Sequence, residues 1–121
     1  MDLIKCFNDT MGLATEGKLR HKTRKAQKSV RVYKEGFTAK KHKKFYSKAD
    51  IIVERNTSFA SASKYLKYGR TAVLNFANPV HPGGGVEVGA MAQEECLCRS
   101  SNLFACLSGK AAKEEFYHSI T

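Results

Sequence analysis

The chain has 121 residues and a formal net charge of +10, with 21 Lys and Arg against 11 Asp and Glu. A chain of this length suits one domain, burying about two-thirds of its extended surface, and the charge favours polyanionic partners over cationic ones. Nothing approaches the roughly twenty apolar residues of a membrane helix, no apolar leader opens the chain, and Cys6, Cys96, Cys98 and Cys106 lack the paired spacing of a secreted disulfide scaffold, so a reducing, cytoplasmic setting is expected.

Leu3, Ile4, Phe7 and Met11 recur at helical spacing from Asp2 onward, with Gly17 as a stop, which predicts an amphipathic N-terminal helix. Residues 17–28 are polar and basic, a loop or frayed helix. Ser29-Val30-Arg31-Val32-Tyr33 then alternates polar and apolar side chains, the pattern of a half-exposed strand. Residues 36–48 return to basic loop, with Phe45 and Tyr46 as apolar anchors. Across 18–48, Lys18, Arg20, Lys22, Arg24, Lys25, Lys28, Arg31, Lys40, Lys41, Lys43, Lys44 and Lys48 share the stretch with a single acid, Glu35. Such a run is either a solvated face or a steering surface for a polyanion.

Ala49-Asp50-Ile51-Ile52-Val53-Glu54 is short, β-branched and largely apolar, the composition of a buried strand. Asn56-Thr57 offers a helix N-cap, Phe59, Ala62, Ser63 and Leu66 form one face, and Gly69 can end the helix. Residues 72–77 read as the next strand. The three pieces predict a β-α-β unit with parallel strands and a right-handed crossover, so the loop after residue 77 leaves the carboxyl end of a strand, where open α/β sheets bind ligands.

That loop carries the chemistry. Asn75-Phe76-Ala77-Asn78 leads into Pro82-Gly83-Gly84-Gly85, and Gln93-Glu94-Glu95 opens a helix on which Leu97, Phe104 and Leu107 recur at helical spacing. Three successive glycines permit positive φ and close approach of backbone N–H groups to a ligand, and such loops commonly hold phosphates. Taken alone, the glycines also fit a tight turn, and the glutamates a solvated first turn. Cys96 and Cys98, two apart on the same helix, point to different sides and are badly placed to share a metal. Ser108-Gly109-Lys110 reads as a helix terminus, and residues 111–120 as a last short helix or tail that Phe116 and Tyr117 can dock.

In this order and spacing, Asn75 to Asn78, Gly83 to Gly85 and Gln93-Glu94-Glu95 resemble the signature of poly(ADP-ribose) glycohydrolases of the microbial type. The resemblance covers residues 49–107 well and the N-terminal helix loosely. It implies an α/β fold, the N-terminal part of a macrodomain-like three-layer α/β/α architecture with a partial mixed sheet. The whole of 1–121 is then a single, apparently incomplete domain: only three stretches read as strands, fewer than the ~5–6 of a usual sheet. The open edge of such a sheet predicts marginal stability or self-association, and a domain that stops before its second ligand loop predicts weak ADP-ribose binding and poor or no hydrolysis of polymer.

For function, the resemblance implies hydrolysis of ribose–ribose O-glycosidic bonds in ADP-ribose or poly(ADP-ribose), without metal or other cofactor. It gives Glu95 the acid–base role and Glu94 the ribose hydroxyls. Gly83, Gly84 and Gly85 fall near the diphosphate, Asn78 near the terminal ribose, and Gln93 in the ligand-binding set. Neighbouring residues on a helix diverge by about 100°, so the two glutamates cannot flank one bond as ordinary glycosidase carboxylates do; one acid–base group beside one positioning group is the consistent division. Asn75 either orders the loop or touches ligand, and His81 has no role in the pattern. The alternatives are a non-catalytic ADP-ribose or nucleotide-binding module and a basic polyanion-binding fragment.

Overall fold

Asp2 begins the first helix by accepting the Lys5 N–H on its carboxylate at 2.9 Å, satisfying a donor that the first turn leaves open. In the computed structural model, which describes residues 1–117, this helix, α1 (Leu3–Thr15), turns Phe7 and Ala14 inward and closes where the Gly17 N–H returns to Gly12 O at 2.8 Å.

The basic stretch that follows is a full helix, α2 (Arg20–Ser29). Its sequence has no apolar stripe to announce it, because the bonds that seat it are polar. Buried Thr23 accepts from Asn102 Nδ2 at 3.4 Å, and Gln27 Nε2 donates to Ala105 O at 2.8 Å.

Among the described residues there is no β-strand. Ser29 closes α2, and residues 30–33, 49–54 and 72–77 run without a ladder partner. Ile51 and Val53 are 88% and 94% exposed and Phe76 is 69% exposed, so the side chains that signalled buried strands are not buried. β-Branched composition describes a side chain suited to a pleated, half-buried surface; it does not supply the neighbouring strand that makes one. The expected partial mixed sheet, and with it the macrodomain-like three-layer α/β/α architecture, is therefore corrected to a helical arrangement. The parallel crossover falls with the sheet, as does self-association through a sheet edge. Phe45 and Tyr46, expected as anchors, also stand exposed.

The chain divides into two compact units, Tyr33–Val73 on the one hand and Met1–Val32 with the residues from Leu74 onward on the other. Within Tyr33–Val73, Thr57 caps α3 (Ser58–Tyr65) by accepting the Ala60 N–H at 3.3 Å, and Glu54 binds Ser61 Oγ and Lys64 Nζ, each at 2.7 Å. A 3-10 turn, Leu66–Tyr68, follows and ends at Gly69. No residue of this unit is buried.

The other unit holds the core. Phe7, Val86 and Cys98 are its buried centre, packed by Met11, Leu103, Phe104 and Leu107, with the Phe7 and Phe104 rings edge to face at 5.0 Å. The single helix expected from Gln93 to Leu107 is two, α4 (Gln93–Arg99) and α5 (Leu103–Leu107). The break is made by hydroxyls that compete with the backbone: Ser100 Oγ donates to Cys96 O, while Ser101 Oγ donates to Leu97 O and accepts the Leu103 N–H, each within 3.1 Å. A short α6 (Lys110–Ala112) and a π-helical turn, Lys113–Tyr117, bring buried Tyr117 inward. Residues 118–120 of the expected last helix lie outside the described residues. No described helix is long and apolar enough to cross a membrane.

Candidate active site

The site begins where the extended stretch at 74–77 is turned by Asn78. Its Oδ1 accepts the N–H groups of Val80 and His81 at 2.9 and 2.8 Å, an Asx-type turn that reverses the chain before the glycines. Gly83 and Gly84 then take φ of +74° and +59°, conformations that side chains rarely adopt. Space forbids a side chain as well. A Cβ on Gly83 would meet the Phe104 ring at 2.6 Å, and one on Gly84 would collide with Glu95 Oε1 and stand 3.5 Å from Glu94 Oε2.

The first turn of α4 closes on this loop. Glu94 and Glu95 are 3% and 7% exposed, and among the described residues neither has an ion pair. Glu94 is held by three donors: Asn75 Nδ2 at 3.2 Å and Gly83 N–H at 3.1 Å on Oε1, and Asn78 N–H at 2.7 Å on Oε2. Glu95 Oε1 accepts the Gly85 N–H at 3.0 Å, and its Oε2 has no hydrogen-bond partner among the described residues. Buried carboxylates without cations are tolerated here because oriented N–H groups and the helix N-terminus favour negative charge.

Gln93 ties the preceding stretch to the same turn. Its Oε1 accepts the Phe76 N–H at 2.9 Å and its Nε2 donates to Leu74 O at 2.8 Å. The side-chain amide thus makes the pair of bonds that a residue on an adjacent strand would make.

Every residue expected in the site lies in this one cluster. The N–H groups expected at a diphosphate are engaged within the protein, those of Gly83 and Gly85 on the two glutamates and that of Gly84 on His81 O at 3.0 Å. Asn75 braces Glu94, and its Oδ1 is buried without a hydrogen-bond partner among the described residues. His81 contributes its backbone and is otherwise exposed.

Residues 2–120 match the family model for the microbial-type PARG catalytic domain, PARG being poly(ADP-ribose) glycohydrolase. The chain belongs to this family. The match takes in α1 and α2 as well as the glycine loop and α4, well beyond the stretch in which the signature was legible. Neither a curated protein nor a solved structure matches the chain. The family implies an ADP-ribose polymer as substrate.

Around the PARG signature stand three groups that the sequence reading does not place in the site. Arg99, buried at the end of α4, donates from Nη1 to Ala90 O at 2.6 Å, and its own carbonyl accepts from Thr10 Oγ1 at 2.6 Å, so it ties the loop after the glycines to α4 and α1. In sequence it reads as an ordinary cation at a helix C-terminus. Tyr117 is buried with a hydroxyl that has no hydrogen-bond partner among the described residues, and burial first, then the charges of Glu94 and Cys98, push its pKa up and keep it protonated. Cys98 is buried beneath the glutamates and its thiol is pushed up to about 12, by burial first and then by the charges of Glu94 and Glu95. Cys96, two residues earlier, is exposed, so the two thiols face different surroundings.

Proposed function

We propose that this chain hydrolyses ribose–ribose O-glycosidic bonds in ADP-ribose chains, with Glu95 as the acid–base group and Glu94 as its positioning partner. The observation that carries the assignment is the inequality of the two carboxylates. Glu94 has both oxygens committed to three protein donors, whereas Glu95 keeps Oε2 without a partner among the described residues. A group that must give a proton to a leaving oxygen and then take one from water needs an oxygen not already bound within the protein.

In the reaction Glu95 donates its proton to the departing ribose oxygen as the glycosidic bond breaks. The sugar left behind carries oxocarbenium-like positive charge, which the fixed negative charge of Glu94 beside it stabilises. Water then adds to the anomeric carbon and passes a proton to Glu95, restoring the acid. Asn78 Nδ2, which has no acceptor among the described residues, is available to the terminal ribose. A diphosphate seated on the glycine amides must compete with Glu94, His81 O and Glu95 for the same hydrogens, so we assign the glycines first to seating the carboxylates. Gln93 acts by pinning residues 74–76 against the turn that carries them.

The test is release of ADP-ribose from poly(ADP-ribose) by the wild-type chain and by Glu95→Gln. The isosteric amide keeps the Gly85 hydrogen bond and loses the titrating proton, so turnover should fall ~100-fold or more while ADP-ribose affinity is retained. Undiminished turnover in Glu95→Gln would remove Glu95 from the mechanism.

A further inference from the structure

The cationic helix α2 has a property that its own stability does not explain. Arg20, His21, Lys22, Arg24, Lys25 and Lys28 are all exposed, and none has an ion pair among the described residues, where the only salt bridges are Lys5–Asp9 and Lys64–Glu54. Arg20/Arg24 and Arg24/Lys28 are like charges at i, i+4 spacing, which destabilises a helix, and no acidic residue occupies the first turn to offset the cations there. Nor does α2 bury an apolar stripe in return. It is fixed in place by the polar bonds of Thr23 and Gln27 to the α5 region. The result is a rigid rod that holds repelling charges at set spacing, an arrangement that an anionic chain laid along it relieves.

We infer that α2 is an anchoring surface for poly(ADP-ribose), separate from the carboxylate site, which holds units of the polymer beyond the one being cleaved. This rests on the proposed glycohydrolase reading and deepens it. The polymer is favoured over duplex DNA because α1 packs against both α2 and the turn Val86–Val88 that follows the glycines. A chain held on α2 is thereby kept at raised local concentration near a site that takes the same chain. The groove beside α2, about 460 Å³, sets Glu114 and Glu115 among Arg24, Lys28 and Lys110. Those two carboxylates make the groove itself a poor seat for a polyanion, so the polymer lies along the exposed row of Lys22, Arg24, Lys25 and Lys28.

The experiment measures binding of ADP-ribose, of long poly(ADP-ribose) and of duplex DNA to full-length protein carrying Glu95→Gln to prevent turnover. The same background then carries Lys22→Gln, Arg24→Gln, Lys25→Gln and Lys28→Gln together. The expected result is a loss of polymer affinity of ~10-fold or more with a shallower salt dependence, unchanged ADP-ribose affinity, and DNA bound at least ~10-fold more weakly than polymer. A companion carrying Lys22→Arg, Lys25→Arg and Lys28→Arg keeps the charge and should keep polymer affinity, which distinguishes lost charge from a damaged fold. Polymer affinity unaffected by the four Gln substitutions, or DNA bound as tightly as polymer, overturns the anchoring role and leaves the carboxylate site untouched. Absence of ADP-ribose binding with α2 intact overturns the reading of the site itself.

Discussion

Glu94 and Glu95 differ by one position and should differ sharply in what an amide does to them. In Glu94→Gln one oxygen becomes an NH₂ group facing donors, so either the Asn78 N–H or the pair from Asn75 and Gly83 loses its acceptor. An unpaired buried donor costs about 1–3 kcal/mol. Denaturant unfolding should register that loss in Glu94→Gln, while Glu95→Gln unfolds close to wild type because its single donor, Gly85, keeps its oxygen. Gly84→Ala places a Cβ against Glu95 Oε1 at a φ of +59°; strain of this kind costs on the order of 1–3 kcal/mol, and both thermal stability and turnover should drop. Cys98 sets a pH limit. Burial, then the charges of Glu94 and Glu95, push its thiol from the ordinary 9.0 up to about 12, so the folded state holds its proton more tightly. The stabilisation is fully present below the lower value and is lost as pH rises through the window between them. Melting temperature measured from pH 8 to 12 should fall across that window, and less steeply in Cys98→Ala.

At the level of elements, Phe7 links the N-terminal helix to the site, since its ring supports Phe104 and Phe104 lies directly against Gly83. Phe7→Ala should cost about 3–5 kcal/mol, and urea titration of the variant should show it with ADP-ribose affinity reduced in parallel. The helices built on local signals were legible in the residues: α1 from its apolar spacing and Asp2, α3 from Thr57, the start of α4 from Gln93 onward. The candidate site was legible for a related reason, because glycines that must reach positive φ and acids that must meet backbone N–H groups leave a pattern in composition and spacing. What was not legible depended on distant partners. Residues 49–54 and 72–77 have strand composition but no strand beside them, a fact absent from their own residues. Helix α2 has no apolar stripe, and the bonds of Thr23 and Gln27 to residues some eighty positions away replace one. Arg99 was missed because its partners, Ala90 O and Thr10, meet it only in the folded backbone, and Tyr117 was legible as a docking side chain but not as a neighbour of Glu94.

Across the whole molecule, burial is confined to one of the two units. Tyr33–Val73 has no buried residue and carries Lys40, Lys41, Lys43, Lys44 and Lys48 in irregular, exposed backbone, whereas the cations of α2 lie on a hydrogen-bonded helix. Local opening should therefore cost least there. Brief digestion with trypsin, followed by mass spectrometry of the fragments, should find cleavage between residues 34 and 48 before cleavage within α2; the reverse order would contradict this ranking. The Gln93 amide adds a consequence for the molecule as a whole. It occupies the Phe76 N–H and the Leu74 carbonyl, which lie on one edge of that extended stretch. The Phe76 N–H has one hydrogen to give, so a strand added along that edge of 74–76 must displace Gln93 from its present seat. Because Gln93 adjoins Glu94 and Glu95 on the same helical turn, such pairing would shift the placement of both carboxylates as well, so an event at the edge of 74–76 would be felt in the site.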